Sequence, residues 1–100
     1  MKLTDVTQAA TGVDILNSVQ PVAHPSGAGG TQRVYRFDNG YGASVVTGFY
    51  TGGAPFELAV IGPGGGLDYT TPVTEDVERG DADDMERMLA AIRALPPKGK

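Results

Sequence analysis

The side chains best suited to chemistry in this chain are a run of acids: Glu75, Asp76, Glu78, Asp81, Asp83, Asp84 and Glu86, relieved only by Arg79. Clustered carboxylates can hold a divalent cation, serve as an acid and base pair, imitate the phosphates of a nucleic acid, or dock a basic protein surface. A calcium loop needs acids at alternating positions with a central glycine and a closing glutamate, and Asp81, Asp83 and Asp84 do not keep that spacing. Hydrolysis by paired carboxylates needs two acids about 5–10 Å apart in a cleft, and the sequence declares no cleft. The plainer reading is a solvated helix start, where negative charge meets the positive end of the helix dipole. Among functional readings, docking of a partner by Asp81, Asp83 and Asp84 comes first. Mimicry of nucleic acid by Asp76, Glu78, Asp81, Asp83 and Asp84 follows.

The remaining candidates are sparse. His24, the single histidine, sits between Ala23 and Pro25 in a stretch rich in turn formers, with no partner nearby for a metal site or a nucleophile triad. Gly62-Pro63-Gly64-Gly65-Gly66 has the composition of a phosphate-cradling loop, but no Lys-Ser/Thr follows it and no helix opens there, so a plain strand connection is expected. With no Cys, thiolate zinc sites, cysteine nucleophiles and disulfides are excluded. No catalytic residue, cofactor or metal is expected, and an enzyme remains only a third choice, assembled from distant Asp, Glu, Tyr and Ser side chains.

These residues need a scaffold, and 100 residues supply one modest core. The 15 Gly and 7 Pro give over a fifth of the chain to turns and loops. The net charge of −4 lies wholly in the second half, where acids stand in place of the Lys and Arg that a phosphate binder needs, so no direct nucleic acid binding is expected. No apolar run approaches the roughly 20 residues that span a bilayer, and the first 20 residues lack the apolar stretch of a signal peptide. The expectation is a cytoplasmic protein without membrane contact.

Asp38-Asn39-Gly40 is the strongest local signal. Asn-Gly suits a two-residue type I′ loop between strands Val34–Phe37 and Ala43–Val46. That loop pairs Phe37 with Gly42, Tyr35 with Ser44 and Val34 with Val45. Tyr35, Phe37 and Val46 then share one face, and Val34, Tyr41, Ala43 and Val45 the other. Phe56–Ile61 reads as a third strand with Phe56, Leu58 and Val60 on one side, and Leu67–Thr70 as a fourth. Met85, Met88, Leu89, Ile92 and Leu95 recur at helical spacing, with Asp81 as N-cap, Asp83 paired to Arg87, and Pro96-Pro97 as the stop. The N-terminal segment, 1–20, carries a short helix at about 12–18; 21–32 reads as a Pro/Gly-rich linker, and 33–97 as the folded domain. Of Tyr41, Phe49 and Tyr50, beside turns, Phe49 suits the core, while Tyr41 and Tyr50 are open between core packing and a protein contact.

Two stretches, Tyr35-Arg36-Phe37-Asp38-Asn39-Gly40-Tyr41-Gly42-Ala43-Ser44-Val45-Val46 and Thr71-Pro72-Val73-Thr74-Glu75-Asp76-Val77 with the helix from Met85 to Pro96, resemble a group of small uncharacterised proteins of tailed bacteriophages of actinobacteria. The similarity runs from about Arg33 to Pro97. It implies production inside an infected bacterium and carries no activity, cofactor or site residue.

The resulting expectation is an α+β fold: an antiparallel meander of three to four strands with the C-terminal helix packed on one face. The opposite face needs a cover, either the N-terminal segment or a second copy of the chain, because an uncovered apolar face marks an interaction site. The expected function is a non-enzymatic protein-binding module whose partner is a host or phage protein and which forms a homodimer. Val34, Tyr41 and Val45 on the sheet, or Asp81, Asp83 and Asp84, would carry the contact.

Overall fold

The computed structural model describes residues 15–48, 51–74 and 76–97. Ile15 starts a turn that leads into a 3-10 helix, Leu16–Ser18. Five strands follow: β1 (Val22–Ala23), β2 (Thr31–Arg36), β3 (Gly42–Val46), β4 (Phe56–Ile61) and β5 (Glu78–Gly80), and then helix α1 (Ala82–Arg93). The strands form one antiparallel sheet in sequence order, a meander, with α1 packed across one face. The expected α+β class holds, with five strands where three to four were expected.

Three elements differ from expectation. The proposed linker supplies β1 and the start of β2, joined through Val22–Gln32 and Ala23–Thr31, so the sheet begins within it. Leu67–Thr70 forms no strand; Leu67 makes a single bridge to Ile61, and the fifth strand comes later, at Glu78–Gly80. The expected helix at 12–18 survives as the one 3-10 turn at its end, its first residues lying outside those described.

The hairpin loop carries the largest correction. Type I′ geometry needs positive φ at both central residues, and no described residue other than glycine has it. The loop instead spans three residues. Gly40 N–H donates to Phe37 O (3.0 Å), Phe37 N–H donates to Tyr41 O (2.8 Å), and Gly40 alone takes the left-handed conformation at φ 91°. This is a type I turn closed by a glycine bulge. One extra loop residue shifts the register by one, so Tyr35 pairs with Ala43, Arg33 with Val45 and Val34 with Ser44. A one-residue shift moves every side chain of the partner strand to the opposite face. Ala43 and Val45 therefore lie under the helix with Tyr35, whereas Val46 joins Val34 on the other side. Gly42 pairs with Arg36, not Phe37, and a Cβ there would collide with the carbonyl oxygen of Tyr35.

The core lies between sheet and helix. Tyr35, Ala43, Val45, Leu58 and Val60 meet Met85, Leu89 and Ile92, with Ile15, Leu16 and Tyr41 closing the end. Each large apolar side chain so buried contributes about 1.5–3 kcal/mol, and together they hold α1 on the sheet. The helix starts in a reciprocal capping box: Asp84 N–H donates to Asp81 Oδ1 (2.9 Å) and Asp81 N–H to Asp84 Oδ2 (3.0 Å). Arg87 pairs with Asp84 at 2.7 Å, three residues away, in place of the expected Asp83.

Candidate functional site

The face of the sheet turned away from α1 is the candidate site. Register sets it out in rows across the strands: Val22, Gln32, Val46, Glu57 and Arg79; then Val34, Ser44 and Ala59; then Arg36, Gly42 and Ile61. Small side chains at Ser44 and Ala59 leave a trough of about 460 Å³ along the middle, with Leu67, Gly65 and Gly66 forming one wall and His24 lying at an end. Val34, Val46, Ile61, Leu67 and Val77 make it mainly apolar. Val22, Val34 and Leu67 are 59%, 38% and 55% exposed, which is unusual for large aliphatic side chains gathered on one surface.

Polar groups on this face are few and placed by the strands. Gln32 Nε2 donates to Ser44 Oγ at 3.0 Å across β2 and β3. Arg79 Nε donates to Glu57 Oε2 at 2.9 Å across β4 and β5, closing the trough's flank with a charge pair. His24 is not adrift in a linker: its Nδ1 accepts from Ser26 N–H at 3.1 Å, and its backbone N–H donates to Gly30 O.

The six proposed contact residues separate into three groups. Val34 is on the open face and exposed. Val45 and Tyr41 are buried under the helix, Val45 completely, so neither can reach a partner; the register shift is the physical cause. Asp81 and Asp84 spend carboxylate oxygens on the capping box, and Asp84 is further held by Arg87; only Asp83 of the three has no such local duty. The Arg87 hydrogen bond and the Asp81 N–H hold the Asp84 carboxyl below its usual value. Of the further acids, Glu75 lies outside the described residues, as do Phe49 and Tyr50.

Other candidates resolve into structure. Gly62 N–H donates to Gly66 O (2.8 Å) and Gly65 N–H to Gly62 O (2.9 Å), so these glycine amides close a turn. Asp68, beside that loop, accepts from Thr70 N–H and hydroxyl and adds a negative charge where a phosphate would need the reverse. No group of three or more His, Cys, Asp or Glu among the described residues could hold a metal ion. No helix among them is long and apolar enough to cross a membrane.

Two polar residues have positions that no local pattern foretells. Glu86, expected only to favour the helix dipole, reaches from α1 to accept from Ile15 N–H (2.9 Å) and Leu16 N–H (3.0 Å), clamping the 3-10 turn onto the helix. Asn39 reaches from the hairpin loop to the far end of α1: its Nδ2 lies 2.9, 3.1 and 2.9 Å from the carbonyl oxygens of Ile92, Arg93 and Leu95. Its Oδ1 accepts from Tyr41 N–H at 2.9 Å. Tyr35 completes the clamp by donating its hydroxyl to Leu16 O at 2.7 Å. Burial pushes its pKa up to about 12, with the Arg33 charge opposing and Glu86 adding to the shift.

Comparison with protein-family models, curated proteins and solved structures finds no match for the chain. The functional reading therefore rests on the geometry of the site.

Proposed function

We propose that this protein is a non-enzymatic protein-binding module that docks its partner on the open face of the sheet. The observation that carries this reading is the apolar trough between Val34 and Leu67, which no helix or strand among the described residues covers: α1 packs on the other face of the sheet, and residues 1–14 of the N-terminal segment lie outside those described. Leaving such a surface in water is unfavourable, and its removal on association supplies the driving force. The Gln32–Ser44 and Glu57–Arg79 pairs lie within or beside it and supply the polar contacts that fix orientation at an interface. The resemblance to actinobacterial phage proteins supports the cytoplasm of an infected bacterium as the setting.

Docking through the acidic helix start is the weaker reading, because Asp81 and Asp84 already serve as cap residues. A photo-crosslinking side chain in place of Val34 should give an adduct with a second polypeptide in bacterial cells, and one in place of Asp83 should give none. Adducts from position 83 alone would transfer the function to the acidic patch.

A further inference from the structure

Resting on the reading of the open face as a docking surface, we infer that its occupant is a second copy of this chain, paired face to face about a two-fold axis at Ser44. The placement of charge carries the inference. Arg36 lies one strand and two residues from Ser44 in one direction, in the row of Gly42; Glu57 lies one strand and two residues away in the opposite direction, in the row of Val46. Side chains of opposite sign thus stand at diagonally opposed corners of one surface. A two-fold axis in the plane of contact lays each corner on its opposite, so Arg36 of each copy meets Glu57 of the other, twice. Glu57 Oε2 accepts from Arg79 Nε, and its side chain keeps 16% exposure; a carboxylate has acceptor sites for more than one guanidinium, so Arg36 of the second copy would join this pair at its exposed edge.

Shape follows the same operation. With strands ~4.8 Å apart and ~3.3 Å per residue, this axis crosses the strands of the two copies at roughly 70°, near the orthogonal class of sheet packing. It also carries Val34 of each copy over the depression between Ser44 and Val46 of the other, filling each trough with the exposed valine beside its twin. Charge over the whole molecule agrees. The chain carries −4, and Asp81, Asp83, Asp84 and Glu86 all lie on the helix or at its cap, so two acidic copies meet with least repulsion through the face holding Arg36 and Arg79.

Area sets the strength. Five strands, of which β1 and β5 are the short ones, frame at most roughly 20 × 17 Å in plan, well short of the about 800 Å² each partner gives to a standard interface, so the pairing is weak and reversible.

Sedimentation equilibrium from about 10 to about 500 µM tests it, the range expected of a small interface. The wild type should pass from monomer to dimer across that range. Arg36→Glu, an exposed change that sets a carboxylate against Glu57 of the other copy, should weaken the dimer at least about fivefold. Ala59→Glu, in the trough floor, should be monomeric throughout, with an unchanged circular dichroism spectrum showing that it folds. A wild type still monomeric at the highest concentration, or a dimer indifferent to both substitutions, overturns the inference. A monomer that nonetheless crosslinks to a different protein from position 34 overturns the second copy as occupant and leaves the docking reading standing.

Discussion

Replacing Asn39 separates its place in a turn from its place at a helix end. As a turn residue alone, asparagine before glycine is readily exchanged for aspartate, which is equally suited to such loops. The structure gives Asn39 a second duty, with Nδ2 within hydrogen-bonding distance of three carbonyl oxygens at the end of α1 and Oδ1 on Tyr41 N–H. Asn39→Ala removes two donors and one acceptor; at about 0.5–1.5 kcal/mol each, with the exposed carbonyls partly recovering water, the expected loss is about 2 kcal/mol. For a domain of this size that lowers Tm by about 10 °C. Asn39→Asp keeps the acceptor for Tyr41 but turns a carboxylate on three carbonyl oxygens at the negative end of the helix dipole, so it should be worse than alanine. Urea unfolding followed by circular dichroism gives both values. An aspartate variant within about 0.5 kcal/mol of wild type would refute the helix-capping role, since that is the size of a neutral surface change.

Three further outcomes follow from the same contacts. Glu86→Ala leaves the Ile15 and Leu16 amides without their acceptor and should cost about 2 kcal/mol, with faster amide exchange confined first to Ile15–Ser18; Glu86→Gln, which keeps one acceptor, should fall between. Tyr35 has a folded-state pKa of about 12 against 10.0 unfolded, so its contribution is complete below pH 10 and is lost as pH rises to 12. Wild type should lose up to about 2–3 kcal/mol more than Tyr35→Phe over that interval, read by urea unfolding at each pH. Gly40→Ala forces a Cβ into the left-handed conformation at φ 91° and should cost about 1–2 kcal/mol by the same assay, the hairpin register being held by its other contacts.

Elements whose signal is local were legible in the sequence. The helix showed in the spacing of Met85, Leu89 and Ile92 and in Asp81 as its cap; β4 showed in the alternation of Phe56, Leu58 and Val60. The hairpin was found but mis-registered, because Asp38-Asn39-Gly40 satisfies both a two-residue I′ loop and a three-residue loop ending in a left-handed glycine. The β3 strand itself held the deciding signal. Only the longer loop sets Ala43 and Val45 beside Tyr35 and turns the polar Ser44 outward. That shift carried Val45 and Tyr41 out of the candidate site and brought in Ser44 and Val46; Ala59 joins them through its pairing with Ser44 across β3 and β4. The Glu86 clamp and the Asn39 cap span 70 and 53 positions and more, and no periodicity in a single chain encodes such a meeting. β5 was missed because three residues, Glu78-Arg79-Gly80, carry no apolar alternation; their pairing with Phe56–Leu58 makes them a strand.

Methyl NMR spectra recorded over a rising protein concentration test most directly whether two copies of the chain meet through the open sheet face. Shifts should move together at Val34, Val46, Ala59 and Ile61, while Val45, Leu58 and Val60, beneath α1, stay in place. Movement confined to Ala82 and Met85 at the acidic helix start, with the trough methyls unmoved, would contradict it.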